Sequence, residues 1–332
     1  MNFIKGLINF LLITALVVLV FYGVWGLKNN RQLLILGNTN AQTNDGNLNK
    51  NELNILFLGI TGNDSYGANL TDTIFLIHIN AQSKKAYLIG IPRDLWVKAD
   101  GYNTNIKING LYDLENSDKK KKTKTFELIE SEVSQITGLN IDNTIVMELD
   151  GFRYLVDAIG GINIWLEEDV VDPSLKNPDN PNQIFKLEKG WRYLDGKTAA
   201  KFIRTRYAPE GDFYRMEHQQ QIIAAIKNKL SGMLNLWGMP KLIKIYQGLG
   251  QYINTDIGMD SVMKLIKFAK YLNEENTKYV ILSNRPPSEA LISTTVPSID
   301  PEGKSVNAYI LLPKLGFEKY EGIQQYLQEQ FK

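Results

Sequence analysis

From Leu7 to Leu27 the chain reads LINFLLITALVVLVFYGVWGL, an apolar run with no charged residue. At the rise of an α-helix about 20 such residues cross the hydrocarbon of a bilayer, so the pattern predicts one N-terminal transmembrane helix over 7–27 behind a short tail at 1–6. Phe21, Tyr22 and Trp25 gather at its C-terminal end, where amphipathic rings favour the membrane boundary. Lys5 precedes the span while Lys28 and Arg31 follow it, so flanking charge does not orient it. A cleaved signal peptide is the alternative, with Thr39-Asn40-Ala41 as the cleavage-like site. Against it, the apolar run is long for a signal core and that site lies far beyond it. Residues 28–52 then turn polar, and GNTNAQTNDGNLNKN from Gly37 to Asn51 has too little apolar surface to order itself, which predicts a flexible tether.

Past the tether the apolar positions fall into short runs rich in β-branched residues. These predict strands over Leu53–Ile60, Thr73–Ile79, Ala86–Ile91, Thr144–Leu149 and Ile162–Leu166. Helical spacing appears between them over Thr125–Ile136, Gly151–Ile159, Lys197–Ile203 and Asp212–Leu230. The alternation continues with helices near Lys241–Leu249 and Ser261–Leu272, strands near Lys278–Leu282 and Ala308–Leu312, and a last helix near Tyr320–Phe331. Strands alternating with helices predict an α/β fold, a sheet covered by helices, over residues 53–332. The proline-bearing stretch Arg285–Pro301 is expected to be a surface loop.

Composition narrows the function by exclusion. The 332 residues carry 37 Lys and Arg against 36 Asp and Glu, so no global field draws the chain to nucleic acid, and any anion site must be local. There is no cysteine, which removes disulfides, zinc-thiolate sites and cysteine nucleophiles together. The one dense charge run, DKKKKTK from Asp118 to Lys124, reads either as a solvated loop or as a contact for lipid headgroups or glycopolymer.

Three groups of residues carry candidate chemistry. In Ile91-Pro92-Arg93-Asp94 an apolar strand ends at a proline and delivers Arg93 and Asp94 just past its end, where open α/β sheets place ligand groups; a turn-fixing ion pair is the alternative. In Phe202-Ile203-Arg204-Thr205-Arg206 the two arginines stand at i and i+2, and on an extended backbone both point to one side, so two guanidinium forks can grip one phosphate or pyrophosphate. Downstream, Asp212, Arg215 and Gln219 lie at i, i+3 and i+7, one stripe near the start of a helix, an end that favours anions. There the competing reading is a helix cap, Asp212, paired locally with Arg215. Asp72 opens a strand in Asn69-Leu70-Thr71-Asp72-Thr73. One carboxylate beside a phosphate site is the usual minimum for Mg²⁺, while a turn or strand-start role explains the same residue.

These segments resemble the LytR-CpsA-Psr family. The matching motifs are NILFLGI, LTDT, IGIPRDLWV, KING in place of KINA, GFRYLVDAIGGINIWL, LDGKTAAKFIRTRY and GDFYRMEHQQ. They run from about Leu53 to about Leu230, and more loosely into the C-terminal part at 231–332. The resemblance implies an extracytoplasmic domain with a mixed central sheet flanked by helices, held at the cell membrane by a single span. It also implies a phosphotransferase moving a glycopolymer from a polyprenyl-pyrophosphate carrier to peptidoglycan or another envelope acceptor. By position, Arg93, Arg204, Arg206 and Arg215 match the arginines that bind pyrophosphate or act in catalysis, and Asp72 matches a Mg²⁺ ligand. Asp212 and Gln219 match polar residues of the same site, and Lys107 and Asp94 match motif positions beside it. The chain departs from the pattern where Thr61 replaces an aspartate, Leu70 an arginine, and His218 the second arginine of R-x-x-R-Q-Q. Asp64 is then the candidate to supply the missing carboxylate from a shifted loop position. A non-catalytic polyprenyl-phosphate-binding protein and a pyrophosphatase with water as acceptor are the rival readings.

Overall fold

The computed structural model describes residues 51–62, 67–117, 125–177, 180–207, 211–231, 233, 239–258, 261, 264–265, 276–299 and 303–332. The expected tail, transmembrane helix and nearly all of the tether lie outside the described residues, as do Asp64, Asp118–Lys124 and most of the helix expected over Ser261–Leu272. Among the described residues no helix is long and apolar enough to cross a membrane.

The chain opens with a meander of β1 (Glu52–Ile60), β2 (Thr71–Asn80) and β3 (Lys85–Gly90). A small hairpin of β4 (Trp96–Ala99) and β5 (Thr104–Lys107) leads to helices α1 (Leu111–Glu115) and α2 (Glu127–Thr137), then to β6 (Asn143–Glu148) and α3 (Leu149–Ala158). Four outlying strands follow, β7 (Ile162–Leu166), β8 (Val170–Asn177), β9 (Asn180–Leu187) and β10 (Gly190–Leu194). Next come α4 (Gly196–Phe202), the long α5 (Asp212–Ser231) and α6 (Met239–Leu249). The chain closes with β11 (Ile253–Thr255), β12 (Thr277–Ile281), β13 (Leu291–Ile299), β14 (Ser305–Pro313) and α7 (Glu321–Phe331).

The central sheet has six strands in the order β11-β6-β1-β2-β3-β12. β1 with β6 and β3 with β12 are parallel pairs and the rest are antiparallel, so the sheet is mixed. Both edge strands come from the C-terminal part, which therefore completes the same sheet. Strand periodicity sorts the side chains of β1 onto two faces. Leu56, Leu58 and Ile60 join Ile74, Leu76 and Ile89 in a core against Leu111 of α1, Ile129 and Val133 of α2, and Ile323 and Leu327 of α7. Fully burying each such side chain is worth about 1.5–3 kcal/mol. A second core gathers α3, α4, α5 and α6 around Val156, Phe202, Ile222, Ile226 and Leu242, closed by Ile162, Ile164 and Leu194 of the β7–β10 pair.

The expectation of a surface loop over Arg285–Pro301 is overturned. Nine residues of β13 pair in register with β14, from Leu291 opposite Pro313 to Ile299 opposite Ser305. Its Ser-Thr-Thr core is polar and exposed, so no apolar run marks it. Pro297 is tolerated because a strand in a two-stranded ribbon has one free edge. For the same reason β4, β5 and β8–β11, which are short, polar or lie outside the central layers, carry no clear periodic signal.

Candidate functional site

β1, β3, β6 and β12 all end at one edge of the sheet, and β2 begins there. At that edge the β1–β2 ladder slips: Gly59 faces Thr73 and Ile60 faces Thr71, leaving Asp72 as an extra residue without a partner on β1. Such a bulge re-aims a side chain, and here it releases Asp72 from the ladder. Glycine at 59 permits the close approach, since a Cβ there would stand 2.9 Å from the Cβ of Thr73. Thr71 is fully buried and its hydroxyl donates to the Asn109 carbonyl at 3.2 Å, which pins the start of β2 to the KING segment.

Arg93 and Asp94 follow β3 after Pro92, in a loop braced from two sides. The Ile108 N–H donates to the Leu95 carbonyl at 2.7 Å, and the Leu311 N–H of β14 donates to the Asp94 carbonyl at 2.9 Å. Lys107 ion-pairs with Asp94, whose side chain is only 9% exposed. Across this loop lies α5. A Cβ on Gly90 would meet the Met216 methyl carbon at 2.6 Å, so glycine at 90 lets that helix settle on the strand ends.

The stripe of α5 then meets the strands. Arg215 Nη2 lies 2.7 Å from Asp212 Oδ1 and donates to the Asp72 carbonyl at 2.9 Å, while Gln219 Nε2 donates to Thr73 Oγ1 at 2.9 Å. Arg93 binds the Asp72 carboxylate through Nη1, and its Nε lies 3.2 Å from Asp212 and 3.8 Å from Asp94. Asp72, Arg93, Asp94, Lys107, Asp212, Arg215 and Gln219 are thus one contiguous cluster. Asp212 is no simple local cap, because it answers two arginines. Burial opposes the charge of Arg93, but Asp72, Asp212 and Asp94 outweigh it and hold its pKa above the ordinary value. Burial pulls the Arg215 guanidinium down to about 10, which still leaves it charged at neutral pH. Burial also raises the Asp212 pKa, against the pull of Arg215 and Arg93. Neither carboxylate oxygen of Asp212 makes a well-directed hydrogen bond despite these short contacts.

Three cations and three carboxylates in this cluster cancel. Arg204 and Arg206 are different: both are exposed, and neither guanidinium makes a hydrogen bond or ion pair among the described residues. The segment is held from beneath. Buried Thr205 donates its hydroxyl to the Phe202 carbonyl at 2.7 Å and contacts His218 Nδ1 at 2.6 Å, and the Arg206 N–H donates to Asp172 at 3.2 Å. His218 stacks on Phe202 with ring centroids 4.0 Å apart, and burial pushes its pKa down to about 4, so it is neutral at pH 7. At this position an arginine's charge gives way to a packing residue.

Arg204 and Arg206 stand at the polar end of a cavity of about 130 Å³ on the second face of the sheet. Its apolar wall is Phe57, Phe75, Met147, Phe152, Ile222 and Ile223, and Asp72, Arg215 and Gln219 share its polar end. On the other side of the cluster is a second cavity, about 480 Å³, bordered by Arg93, Asp94, Arg206 and Asp212. The loop after β12 and the β13–β14 hairpin supply its remaining wall through Asn284, Arg285, Ser293 and Tyr309.

As a Mg²⁺ site the residues are sparse. Among the described residues no group of three or more His, Cys, Asp or Glu side chains is placed to hold a metal. Asp72 gives one oxygen to Arg93, though its side chain is 44% exposed. Glu148, at the end of β6, lines the same cavity as Thr61 and Asp72. This donor set fits an ion whose shell is completed by phosphate oxygens and water, and does not fit one caged by protein alone. Glu148, Asn284, Arg285 and Tyr309 belong to no motif. Only the rule that ligands gather at strand ends points toward Glu148.

The family model described as the LytR_cpsA_psr family matches residues 28–298. The chain belongs to that family. Among LytR-CpsA-Psr relatives, Bacillus subtilis TagV, named a polyisoprenyl-teichoic acid–peptidoglycan teichoic acid transferase, is 27% identical over 267 residues, 76% of this chain and 64% of TagV. The regulatory protein MsrR of Staphylococcus aureus is 28% identical over 211 residues, and the matched region spans 63% of this chain and 58% of MsrR. The cell wall biosynthesis protein LcpA of Corynebacterium glutamicum is 28% identical over 260 residues, 72% of this chain and 46% of LcpA. The chain therefore spans about half to two thirds of the length of these relatives. The crystal structure of B. subtilis TagV shares the fold with a TM-score of 0.59 at 22% identity over 84% of this chain and 97% of that one. Lin1025 of Listeria innocua does so with a TM-score of 0.56 at 22% identity over 85% and 97%.

Proposed function

We propose that this protein is a membrane-anchored, extracytoplasmic phosphotransferase that moves a glycopolymer from a polyprenyl-pyrophosphate carrier to peptidoglycan or another envelope acceptor. The observation that carries the reading is the uncommitted pair Arg204 and Arg206 at the polar end of an apolar cavity, beside a cluster that is already neutral. A pyrophosphate diester brings two negative charges and a polyprenyl tail, and the cavity offers two cations unpaired among the described residues and an apolar wall. The names of TagV and LcpA support an envelope role.

In this reading Arg204 and Arg206 bind the pyrophosphate oxygens, with Arg93 and Arg215 behind them offering further positive charge as it shifts during transfer. The phosphate joined to the glycan is attacked by an acceptor hydroxyl, and its bond to polyprenyl phosphate breaks. Asp212, short of hydrogen bonds and pushed toward the protonated form by burial, receives the hydroxyl proton. Mg²⁺ held by Asp72 and phosphate oxygens would neutralise charge on the leaving phosphate. Glu148, which lines the same cavity, would orient water on that ion.

The test is mass spectrometry of products after incubation with a polyprenyl-pyrophosphate glycan, peptidoglycan acceptor and Mg²⁺. The expected products are polyprenyl monophosphate and an acceptor carrying the glycan through a phosphodiester. Free glycan phosphate formed at a rate indifferent to acceptor would make the protein a pyrophosphatase. Tight binding with no product would make it a carrier-binding protein, the outcome that Thr61 and Leu70 favour.

A further inference from the structure

The two cavities meet across the charged cluster without merging. Asp72, Arg204 and Arg215 line only the apolar one, Arg93 and Asp212 only the polar one, and Arg206 alone borders both. In-line displacement at phosphorus puts the attacking oxygen opposite the leaving oxygen. A polyprenyl phosphate leaving toward the apolar cavity thus requires its attacker to come from the other side, where the polar cavity opens.

The wall of that cavity has the chemistry of a sugar site. Among the described residues the buried Asn284 side-chain oxygen has no hydrogen-bond partner, and Asp212, though ion-paired with Arg215 and Arg93, makes no well-directed hydrogen bond. Leaving the buried Asn284 oxygen unsatisfied costs roughly 1–3 kcal/mol, a cost that a hydroxyl donor from a ligand would remove. Tyr309 is 44% exposed, and Arg285 lies over the Phe213 ring at 5.6 Å. The volume, about 480 Å³, falls in the range of about 300–1,000 Å³ typical of small-molecule sites.

We infer that this second cavity is the acceptor subsite: it takes a saccharide of the envelope polymer and presents one hydroxyl to Asp212. The inference deepens the phosphotransferase reading and rests on it for the identity of the reaction. In the step it serves, the acceptor oxygen forms the new bond to phosphorus, the bridging oxygen leaves with polyprenyl phosphate, and the hydroxyl proton passes to the Asp212 carboxylate. Asn284, Arg285 and Tyr309 position the acceptor and do not touch the phosphorus.

The experiment uses full-length protein in detergent with two readouts, steady-state transfer and calorimetric binding of a peptidoglycan tetrasaccharide alone. Arg285→Ala and Tyr309→Ala are expected to weaken tetrasaccharide binding and raise the acceptor KM about tenfold, with the donor KM unchanged. Tyr309→Phe keeps the ring and the fold while removing the hydroxyl, and falls between wild type and Tyr309→Ala. Arg204→Ala reverses the pattern, raising the donor KM and leaving tetrasaccharide affinity intact. A donor KM that rises in the Arg285 and Tyr309 variants while the acceptor KM holds would give the cavity to the donor glycan and overturn the assignment. Absence of tetrasaccharide binding by the wild type would overturn it as well. Binding that these variants weaken, in a protein that transfers nothing, would keep the subsite and remove the transferase reading instead.

Discussion

At the scale of single residues, the site holds two kinds of arginine that one sequence motif does not distinguish. Arg215 is 4% exposed and committed to Asp212 and to the Asp72 carbonyl, whereas Arg206 is exposed and makes no ion pair among the described residues. Arg215→Ala removes the nearer of the two arginines that answer buried Asp212, and stability is expected to fall by up to roughly 3–5 kcal/mol. Arg206→Ala is expected to stay within about 0.5 kcal/mol of wild type while losing substrate affinity. Denaturant unfolding of both variants checks this, and equal losses would contradict it. Arg93, Asp94 and the 212–219 stripe are legible in the sequence as candidates because each sits at a strand end or on a helix period, and their gathering is what the family resemblance implies. The neutralising pairing between them is not legible, because Asp72, Arg93 and Asp212 are far apart in the chain. His218 shows the same limit: the sequence marks a missing arginine, and only the fold reveals a neutral ring packed on Phe202.

At the scale of elements, the site depends on how α5 lies on the sheet. Short apolar runs made β1 and β2 readable, as fits strands whose two faces are both covered. The bulge that frees Asp72 is invisible to a period-two pattern, since it changes pairing and not composition. The β13–β14 hairpin escapes notice for a related reason. Its exposed Ser, Thr and Tyr positions give no apolar rhythm, yet it walls the polar cavity. The apolar cavity makes its own prediction. Ile223→Trp fills the space between α5 and the strands at an expected cost of about 1–3 kcal/mol. Affinity for a long polyprenyl pyrophosphate should drop while that for a two-isoprene analogue changes little. A parallel loss for both chain lengths would place the tail elsewhere.

At the scale of the whole molecule, buried titratable groups beneath and beyond the site set how stability follows pH. Burial holds His78 and His218 at about 4, below the ordinary 6.5. Between those values the unfolded chain takes up protons that the fold refuses, so this contribution is full above pH 6.5 and is lost as pH falls toward 4. Burial lifts Glu130 and Glu132 to about 7 from 4.5. Their contribution is full below pH 4.5 and is lost as pH rises toward 7, because the fold then keeps protons that the unfolded chain releases. The two pairs oppose one another between pH 4.5 and 6.5, where the Tm of the wild type should be nearly flat. In Glu130→Gln/Glu132→Gln these glutamates no longer offset the histidines, and Tm should fall on acidification across that window as stability drops by up to about 1.4 kcal/mol per pH unit for each histidine. A double variant as flat as the wild type would contradict this balance.

The central claim is that two uncommitted guanidiniums beside a neutral cluster hold a diphosphate. Calorimetric titration of wild type, Arg204→Ala and Arg206→Ala with a polyprenyl pyrophosphate and with the matching monophosphate tests it most directly. The account predicts that the wild type prefers the pyrophosphate, and that each substitution weakens pyrophosphate binding about tenfold or more and shrinks that preference. Equal affinity of all three proteins for both lipids would contradict it.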